Sequence, residues 1–387
     1  MGTRKGIFFT CVILVVFALR YWIALPEFDF QYAAFYIGRT ATLKGIVISE
    51  PQEGEFFTQF KIKLAELNGC AIIRTTLFSN VDYGDIIEFT GKLEKPINND
   101  PRIAVFVNKP AIKIIKKADG INMGLFIKSK NFLVGRLNKI FPYPTSSFAS
   151  GILLGDRSEI PSYLTNDFKK AGLTHILALS GYNIVILIVF VTSIMSFLPR
   201  KIANWASLIV VAVFVLLVGA GASVVRAAIM GSLTIVARMV GRQSVGLRPL
   251  LIAGFTMALI DPFIIFYDIG FQLSFAATAG IILFTGFIRK KWQHLPETIA
   301  STWSSQVFTL PIIIWYFNGF SLIATLSNII VLPFIPILMF GSFLSIILGK
   351  TLAAPVWLLF ELVIRIIHIL ASLPFAFFEV PIDLGIS

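Results

Sequence analysis

Hydrophobic residues in this chain gather into long runs that are separated by short polar or proline-containing stretches. A helix of about 20 apolar residues has the length that crosses the hydrocarbon core of a bilayer. One such run lies within residues 1–25, and eight more follow residue 172. The pattern therefore predicts a polytopic α-helical membrane protein with about nine spans. The later predicted spans cover residues 174–198, 202–219, 222–240, 247–260, 262–288, 298–317, 321–348 and 352–372.

The first run predicts an uncleaved N-terminal membrane anchor over residues 1–25. Arg4 and Lys5 precede the run, whereas Tyr21 and Trp22 follow it. Basic residues favour the cytoplasmic side of a span, and Tyr and Trp are enriched at membrane interfaces. We therefore expect the N-terminus inside the cell and the residues after the anchor outside.

Residues 38–118 change to short segments in which apolar and polar residues alternate, as β-strands require. Turn residues such as Asn68-Gly69 separate these segments. Five short strands in one domain suit a small closed barrel of the OB type, which we expect to be extracytoplasmic because one span precedes it. The charge of the domain is nearly balanced, which argues against strong binding of DNA. The predicted strands cover residues 40–49, 56–67, 70–78, 85–95 and 103–115.

Residues 120–172 have a mixed character. A helical pattern with several lysines and arginines leads to Pro142 and Pro144, and a short apolar stretch that ends in charged residues follows. Short helices of this kind are typical of the membrane interface. We expect interfacial amphipathic helices here, followed by a transmembrane domain over residues 173–376.

Composition and charge support the membrane assignment. Hydrophobic residues make up 56% of the chain, and the formal net charge is +12. A basic excess can reflect either cytoplasmic loops or a polyanionic partner. With the N-terminus inside, the basic clusters at 200–201, 238–248 and 289–291 and Lys350 all fall on the cytoplasmic side, so topology accounts for most of the excess.

The chain offers few residues for metal or redox chemistry. It contains two cysteines, Cys11 and Cys70, and three histidines, none in a metal-binding spacing. We therefore expect no metal site, no cofactor and no enzymatic activity.

Polar residues inside the predicted spans are informative because a charge at mid-bilayer costs about 2.5–3.5 kcal/mol on insertion scales. Ser180, Gly181 and Asn183 interrupt the span at 174–198. Two interpretations remain open: a glycine-kinked helix whose polar groups bond a neighbouring helix, or a discontinuous helix that lines a substrate path.

A second group of polar residues lies in later spans. Arg226 and Asp268 are expected to pair across helices, and Gln272 follows Asp268 by one helical turn. The pair would be either a structural salt bridge or part of a pore wall. Asp261, which precedes Pro262, is expected to start a helix.

Four stretches of the sequence together resemble the ComEC-type competence proteins. They are GILLGDRSEIP at 151–161, GLTHILALSGYNIVIL at 172–187, SVVRAAIMG at 223–231 and DPFIIFYDIGFQLSFAATAGI at 261–281. The resemblance covers residues 150–350. It implies an inner-membrane channel that passes single-stranded DNA into the cytoplasm during natural transformation. It also implies a bacterial cytoplasmic membrane location and agrees with the OB-like barrel.

The resemblance turns the polar residues of the spans into candidates for a DNA path. Asn183 departs from the family pattern, since a second His is common there. The expected lining residues are His175, Ser180, Gly181, Asn183, Arg226, Asp268, Gln272 and Ser274, and the motif residues with a structural role are Gly155, Asp156, Arg157, Asp261 and Pro262.

Partners also follow from the resemblance. They are single-stranded DNA, the lipid bilayer, a separate nuclease, a cytoplasmic DNA motor and a second copy of the chain in a homo-oligomer. We expect the channel part without the metallo-β-lactamase-like nuclease domain of the larger members. A small-solute or lipid transporter that shares the fold is the alternative. The lack of a clear internal repeat disfavours a transporter, because transporters commonly contain two similar halves.

Overall fold

The structure is a computed structural model that describes most of the chain, and two compact units are recognised in it. The first unit comprises Met1–Lys128 and Met257–Tyr267, and the second comprises Ser129–Thr256 and Asp268–Ser387. The described residues are 15–26, 31–49, 51–53, 57–76, 81, 83–96, 100–117, 121–157, 159–177, 181–219, 221–241 and 246–380.

The first unit contains an N-terminal helix, α1 (Val15–Ala24), and a closed β-barrel. Five strands close the barrel in the order β1-β3-β4-β6-β5, and β5 pairs back to β1. The β4–β6 pair is parallel, whereas the other barrel pairs are antiparallel. Strand β2 extends β3, and β7 extends β5. The strands are β1 (Thr40–Val47), β2 (Gln52–Glu53), β3 (Thr58–Leu64), β4 (Cys70–Thr75), β5 (Ile86–Glu94), β6 (Ile103–Asn108) and β7 (Ala111–Lys116).

Alternation along the strands explains why this sequence forms a barrel. Phe60, Ile62 and Leu64 of β3 are buried, whereas Lys61 and Lys63 between them are exposed, because successive side chains of a strand point to opposite faces. The five predicted strands are present, with one difference: the segment predicted at 103–115 is two strands. It divides at Lys109, which has a positive φ of 46°, and at Pro110, which has no N–H to donate.

In the described part of the chain, fourteen α-helices follow the barrel. Strand β8 (Gly319–Ser321), which follows α12, pairs antiparallel with β9 (Phe377–Glu379), which follows α15. The helices are α2 (Ile121–Ile140), α3 (Thr145–Leu154), α4 (Ser162–Lys170), α5 (Thr174–Leu177), α6 (Gly181–Ile194), α7 (Arg200–Val218), α8 (Ala222–Met239), α9 (Leu247–Ile260), α10 (Ile264–Tyr267), α11 (Ile269–Lys291), α12 (Glu297–Phe317), α13 (Ala324–Val331), α14 (Phe334–Leu348) and α15 (Lys350–Ala371).

Within the described part of the chain, four helices are long and apolar enough to cross a membrane, namely α7, α8, α11 and α15. Helices α13 and α14 together give a fifth candidate span, although the chain bends by 45° at a short break between them. Helices α1, α3, α6 and α9 are apolar but shorter. The expectation of about nine spans is therefore met only in part, because apolar runs such as those of α1, α6 and α9 fold as helices of 10–17 residues.

Helix α3 differs from the interfacial helix expected in this region. All ten of its residues are buried, so it has no face free for a membrane surface. Phe148 packs edge-on against Phe168 of α4 and Phe360 of α15, with ring centroids 5.2 and 5.3 Å apart. Small residues such as Ser147 and Gly151 let neighbouring helices approach α3 closely.

Candidate functional site

A buried arginine in the second unit is the centre of the candidate site. Arg226 lies in the second turn of α8, and 7% of its surface is exposed. Its Nη1 donates to the carbonyl of Ser274 at 2.6 Å and to the hydroxyl of Thr278. The Thr278 hydroxyl itself donates to the Ser274 carbonyl at 2.9 Å. These bonds hold one end of the guanidinium against α11.

The Nε side of the guanidinium has no polar partner among the described residues. The Nε of Arg226 is buried, and no atom of the described residues accepts its hydrogen. The Phe275 ring centroid is 5.9 Å from the guanidinium carbon, within reach of a cation–π interaction. The arginine therefore keeps an unsatisfied donor in a buried position, where an unpaired donor costs about 1–3 kcal/mol.

Gly181 provides the space for this guanidinium. A Cβ added at Gly181 would be 2.5 Å from Nη2 of Arg226 and 3.3 Å from Cβ of Ala227. Gly181 is the first residue of α6 and is not among the glycines with a positive φ. The glycine is thus required for a close approach of α8, not for a left-handed backbone conformation. Ser180, where the helix break was predicted, lies outside the described residues.

The predicted ion pair between Arg226 and Asp268 is not formed. Asp268 is the N-cap of α11, and its Oδ1 accepts the backbone N–H of Phe271 at 2.7 Å. Gln272 is one turn further along α11 and is half-buried. Throughout the described ranges, the ion pairs within 4 Å do not include Arg226. The carboxylate satisfies helix N–H groups, which is the commonest use of an Asp at this position.

Asn183 connects α6 to α3. It is 2% exposed, and its Nδ2 donates to the carbonyl of Ile152 at 3.0 Å. Its amide is therefore engaged in helix packing, the first of the two interpretations left open by the sequence. His175, in the short helix α5, is exposed.

The stretch that follows α3 makes a second connection. Gly155 ends α3 in the left-handed conformation, with a φ of 70°, which glycine adopts without steric cost. Asp156 is half-buried. The Nε of Arg157 donates to the carbonyl of Leu177 at 3.1 Å, at the C-terminal end of α5. A cation at a helix C-terminus is favoured by the helix dipole.

Four of these contacts join the four stretches recognised in the sequence. Asn183 and Arg157 link residues 151–161 to residues 172–187. Gly181 meets Arg226 of residues 223–231, and Arg226 binds the helix that contains Ser274. Segments far apart in the chain therefore converge on one buried cation.

Asp261 and Pro262 belong to the first unit and have a different role. The Oδ1 of Asp261 accepts the N–H of Phe263 at 3.0 Å, and its Oδ2 accepts from Nη1 of Arg102 at 2.6 Å. Pro262 is buried. The helix-start role expected for Asp261 agrees with its position just before α10. Burial alone lowers the pKa of Arg102, but the hydrogen bonds and charges of Asp100 and Asp261 raise it above its ordinary value.

Sequence reasoning missed three polar residues. Thr278 follows Ser274 by one turn, and this spacing could have indicated a shared partner. Glu361 lies in the middle of the apolar helix α15 and accepts from the Thr145 hydroxyl at 3.0 Å. The sequence alone could not single out Arg102, because it is one of many basic residues in the barrel. Among the described residues, no group of three or more His, Cys, Asp or Glu could hold a metal ion.

The apolar helices and the closed barrel define a membrane-embedded protein with a separate β-barrel domain. The chain belongs to the competence protein family, whose model matches residues 152–384. It is 26% identical over 207 residues to ComE operon protein 3 of Bacillus subtilis (strain 168), covering 53% of this chain and 26% of that protein. It is 22% identical over 262 residues to the uncharacterized protein YcaI of Escherichia coli (strain K12), covering 63% of this chain and 34% of the relative.

The matched regions span about a quarter to a third of the length of these two relatives. No solved structure matches the chain. The family resemblance expected from the four sequence stretches is therefore confirmed at the level of the family.

Proposed function

We propose that this protein is a channel of the bacterial cytoplasmic membrane that passes single-stranded DNA into the cytoplasm during natural transformation. Membership of the competence family supports a role in DNA uptake. The observation that carries the proposal is Arg226, a buried cation that has, among the described residues, neither a carboxylate partner nor an acceptor for its Nε–H.

The physical argument starts from the cost of such a residue. A charged side chain within a transmembrane helix is expensive and marks a substrate path more often than a packing contact. A permanent carboxylate partner would lower that cost, but it would also repel a polyanion. The planar guanidinium matches the geometry of phosphate oxygens and forms charge-assisted hydrogen bonds with them. Arg226 thus suits an anion that is present only during passage.

The bonds to Ser274 and Thr278 have a role in this proposal. Both acceptors bind Nη1 and are neutral, so they orient the guanidinium without cancelling its charge. Because Gly181 lies against Nη2, the side chain has little freedom to turn. A preoriented donor loses less conformational entropy when it binds a passing phosphate.

The barrel would meet DNA before the membrane domain does, if the N-terminus is cytoplasmic and the barrel is outside. The strand order and the parallel β4–β6 pair support an OB-type barrel, a fold that binds oligonucleotides across neighbouring strands. In the proposed pathway a nuclease supplies the single strand and a cytoplasmic motor receives it.

Substitution of Arg226 in a naturally competent host that lacks its own copy of the gene tests the proposal. We expect Arg226→Gln to lower the transformation frequency at least about a hundredfold, as loss of about 2.7 kcal/mol of stabilisation would. Arg226→Lys keeps the charge without the fork and should be intermediate. Arg238→Gln, at the exposed end of the same helix, is the matched control. Membrane levels are compared by immunoblot.

Two results would contradict the proposal. Transformation by Arg226→Gln at the wild-type frequency, with equal membrane levels, would exclude Arg226 from a DNA path. If the same variant instead altered the phospholipid distribution of the membrane, the lipid-transporter alternative would be supported, since a guanidinium also binds the phosphate of a lipid headgroup.

A further inference from the structure

The charged end of α11 comes directly after an apolar segment with the length of a membrane span. Residues 269–288 contain no charged side chain, and 20 helical residues extend over about 30 Å, the thickness of the hydrocarbon core. Arg289, Lys290 and Lys291 follow at once, and all three are exposed. In a bilayer crossed by α11, these basic side chains therefore lie at the level of the lipid headgroups.

Two tryptophans lie beside this basic end, on two neighbouring helices. Trp292 caps the end of α11, and Trp303 is in α12. Their rings meet edge to face, with centroids 6.3 Å apart and an interplanar angle of 86°. They are 50% and 38% exposed, and neither indole N–H has an acceptor among the described residues. Both can therefore donate to a polar group of the membrane interface, where Trp is commonly found.

Close packing of α11 against α12 positions the two rings. A Cβ added at Gly280 would collide with the carbonyl oxygen of Ser304, so the two helices approach closely at this point. The Thr285 hydroxyl donates to Oγ of Ser304 at 3.2 Å. Because Ser304 follows Trp303 in α12, these contacts fix the start of α12, and with it the Trp303 ring, beside α11.

The charges at this end of α11 are not balanced by carboxylates. Nη1 of Arg289 pairs with Oε2 of Glu297 at 3.2 Å, but both side chains are more than half exposed, and such a pair is weak. Within the described ranges, no carboxylate lies within 4 Å of Lys290 or Lys291. The Lys291 ammonium lies 5.3 Å from the centroid of the Trp292 ring. The surface therefore combines positive charge with indole donors, which suits an anion.

We propose that Lys290, Lys291 and the two tryptophans, named here the interfacial patch, bind the headgroup of an anionic phospholipid. The ammonium groups attract the negative headgroup, and the indole N–H groups donate to its oxygens. Single-stranded DNA fits the patch less well, because successive bases stack on aromatic faces, whereas these two rings are nearly perpendicular. Binding of a lipid here requires neither DNA nor its passage.

Lipid binding by the purified full chain tests the site. Native mass spectrometry in detergent, with dioleoylphosphatidylglycerol added in steps, measures the affinity. We expect the double variant Lys290→Gln, Lys291→Gln to bind this lipid about thirtyfold more weakly, since an anionic surface attracts each nearby Lys by a factor of about five. Trp303→Phe keeps a ring but loses the N–H, so binding should weaken severalfold.

Two variants are matched controls. The double variant Arg200→Gln, Lys201→Gln removes two exposed charges from the start of α7, another candidate span. Trp315→Phe changes an exposed ring near the other end of α12. Neither control should change the affinity measurably.

Three results would overturn the proposal. Equal losses of affinity in the two double variants would show only a general attraction between basic residues and anionic lipid. Equal affinity for dioleoylphosphatidylcholine, which keeps the phosphate but has no net charge, would show that the patch does not select an anionic headgroup. Displacement of the lipid by a micromolar single-stranded thymidine oligonucleotide, or by inorganic phosphate, would assign the patch to DNA or to free phosphate instead.

Discussion

The guanidinium of Arg226 lies directly against Gly181, so that a Cβ at residue 181 would be 2.5 Å from Nη2. The distance is shorter than any ordinary van der Waals contact. Either the arginine or the start of α6 must move when residue 181 gains a side chain. The position of the Arg226 guanidinium on α8 therefore depends on the absence of a side chain at residue 181 of α6.

The size of residue 181 should therefore control uptake. We expect Gly181→Ala to lower transformation about tenfold and Gly181→Leu to abolish it, because overpacking a close contact costs about 1–3 kcal/mol and displaces the guanidinium. Gly286→Ala is the control: Gly286 is in α11, and a Cβ there meets nothing within 4 Å. Normal uptake by Gly181→Leu at full membrane level would refute the importance of this contact.

Replacement of Asp268 by Asn should have little effect, whereas replacement by Ala should be destabilising. Asn is as good an N-cap as Asp, whereas loss of the cap costs about 0.5–2 kcal/mol. We expect Asp268→Asn to transform within about threefold of the wild type, a factor below 1 kcal/mol, and Asp268→Ala to unfold at lower denaturant concentration. Chemical denaturation in detergent, paired with the uptake assay, measures both. A strong uptake defect in Asp268→Asn would instead support an ion pair between Asp268 and Arg226.

The barrel should bind single-stranded DNA only weakly. Arg74 lies over the rings of Phe57 and Phe106, at 4.2 and 5.2 Å from their centroids, and donates to Gln59. Such a stack can hold a base or a phosphate, but the nearly balanced charge of the domain makes the binding weak and salt-sensitive. We expect micromolar or weaker affinity at low salt that Arg74→Ala reduces severalfold, measured by fluorescence anisotropy with the full chain. Tight binding at high salt would contradict the prediction, because it would show that the low net charge of the barrel does not limit its affinity for single-stranded DNA.

The orientation in the membrane can be tested by cysteine labelling. Lys113 is exposed on β7 of the barrel, and Lys290 is exposed at the end of α11. In a background without Cys11 and Cys70, an impermeant maleimide should modify Lys113→Cys in intact spheroplasts and Lys290→Cys only after lysis, because basic clusters favour the cytoplasmic side. The opposite pattern would invert the proposed topology.

Local patterns were sufficient for the barrel and for the family. Strand burial follows a period of two, so residues such as Phe60 and Phe89, both in the barrel core, could be assigned from alternation alone. The four sequence stretches likewise indicated the competence family without a structure. Arg226 could be selected as a candidate because a charge in an apolar helix is unusual in any fold.

The partners of these residues were decided only by the tertiary structure. The Asp268 carboxylate accepts the N–H of Phe271 in its own helix, and Arg226 donates to a carbonyl and a hydroxyl of α11. Asp261 pairs with Arg102, which is 159 residues away along the chain. Hydrophobic periodicity reports which face of a helix is buried but not which helix covers it. Pairing between distant groups depends on packing distances of a few ångströms, and those distances exist only after the helices have assembled.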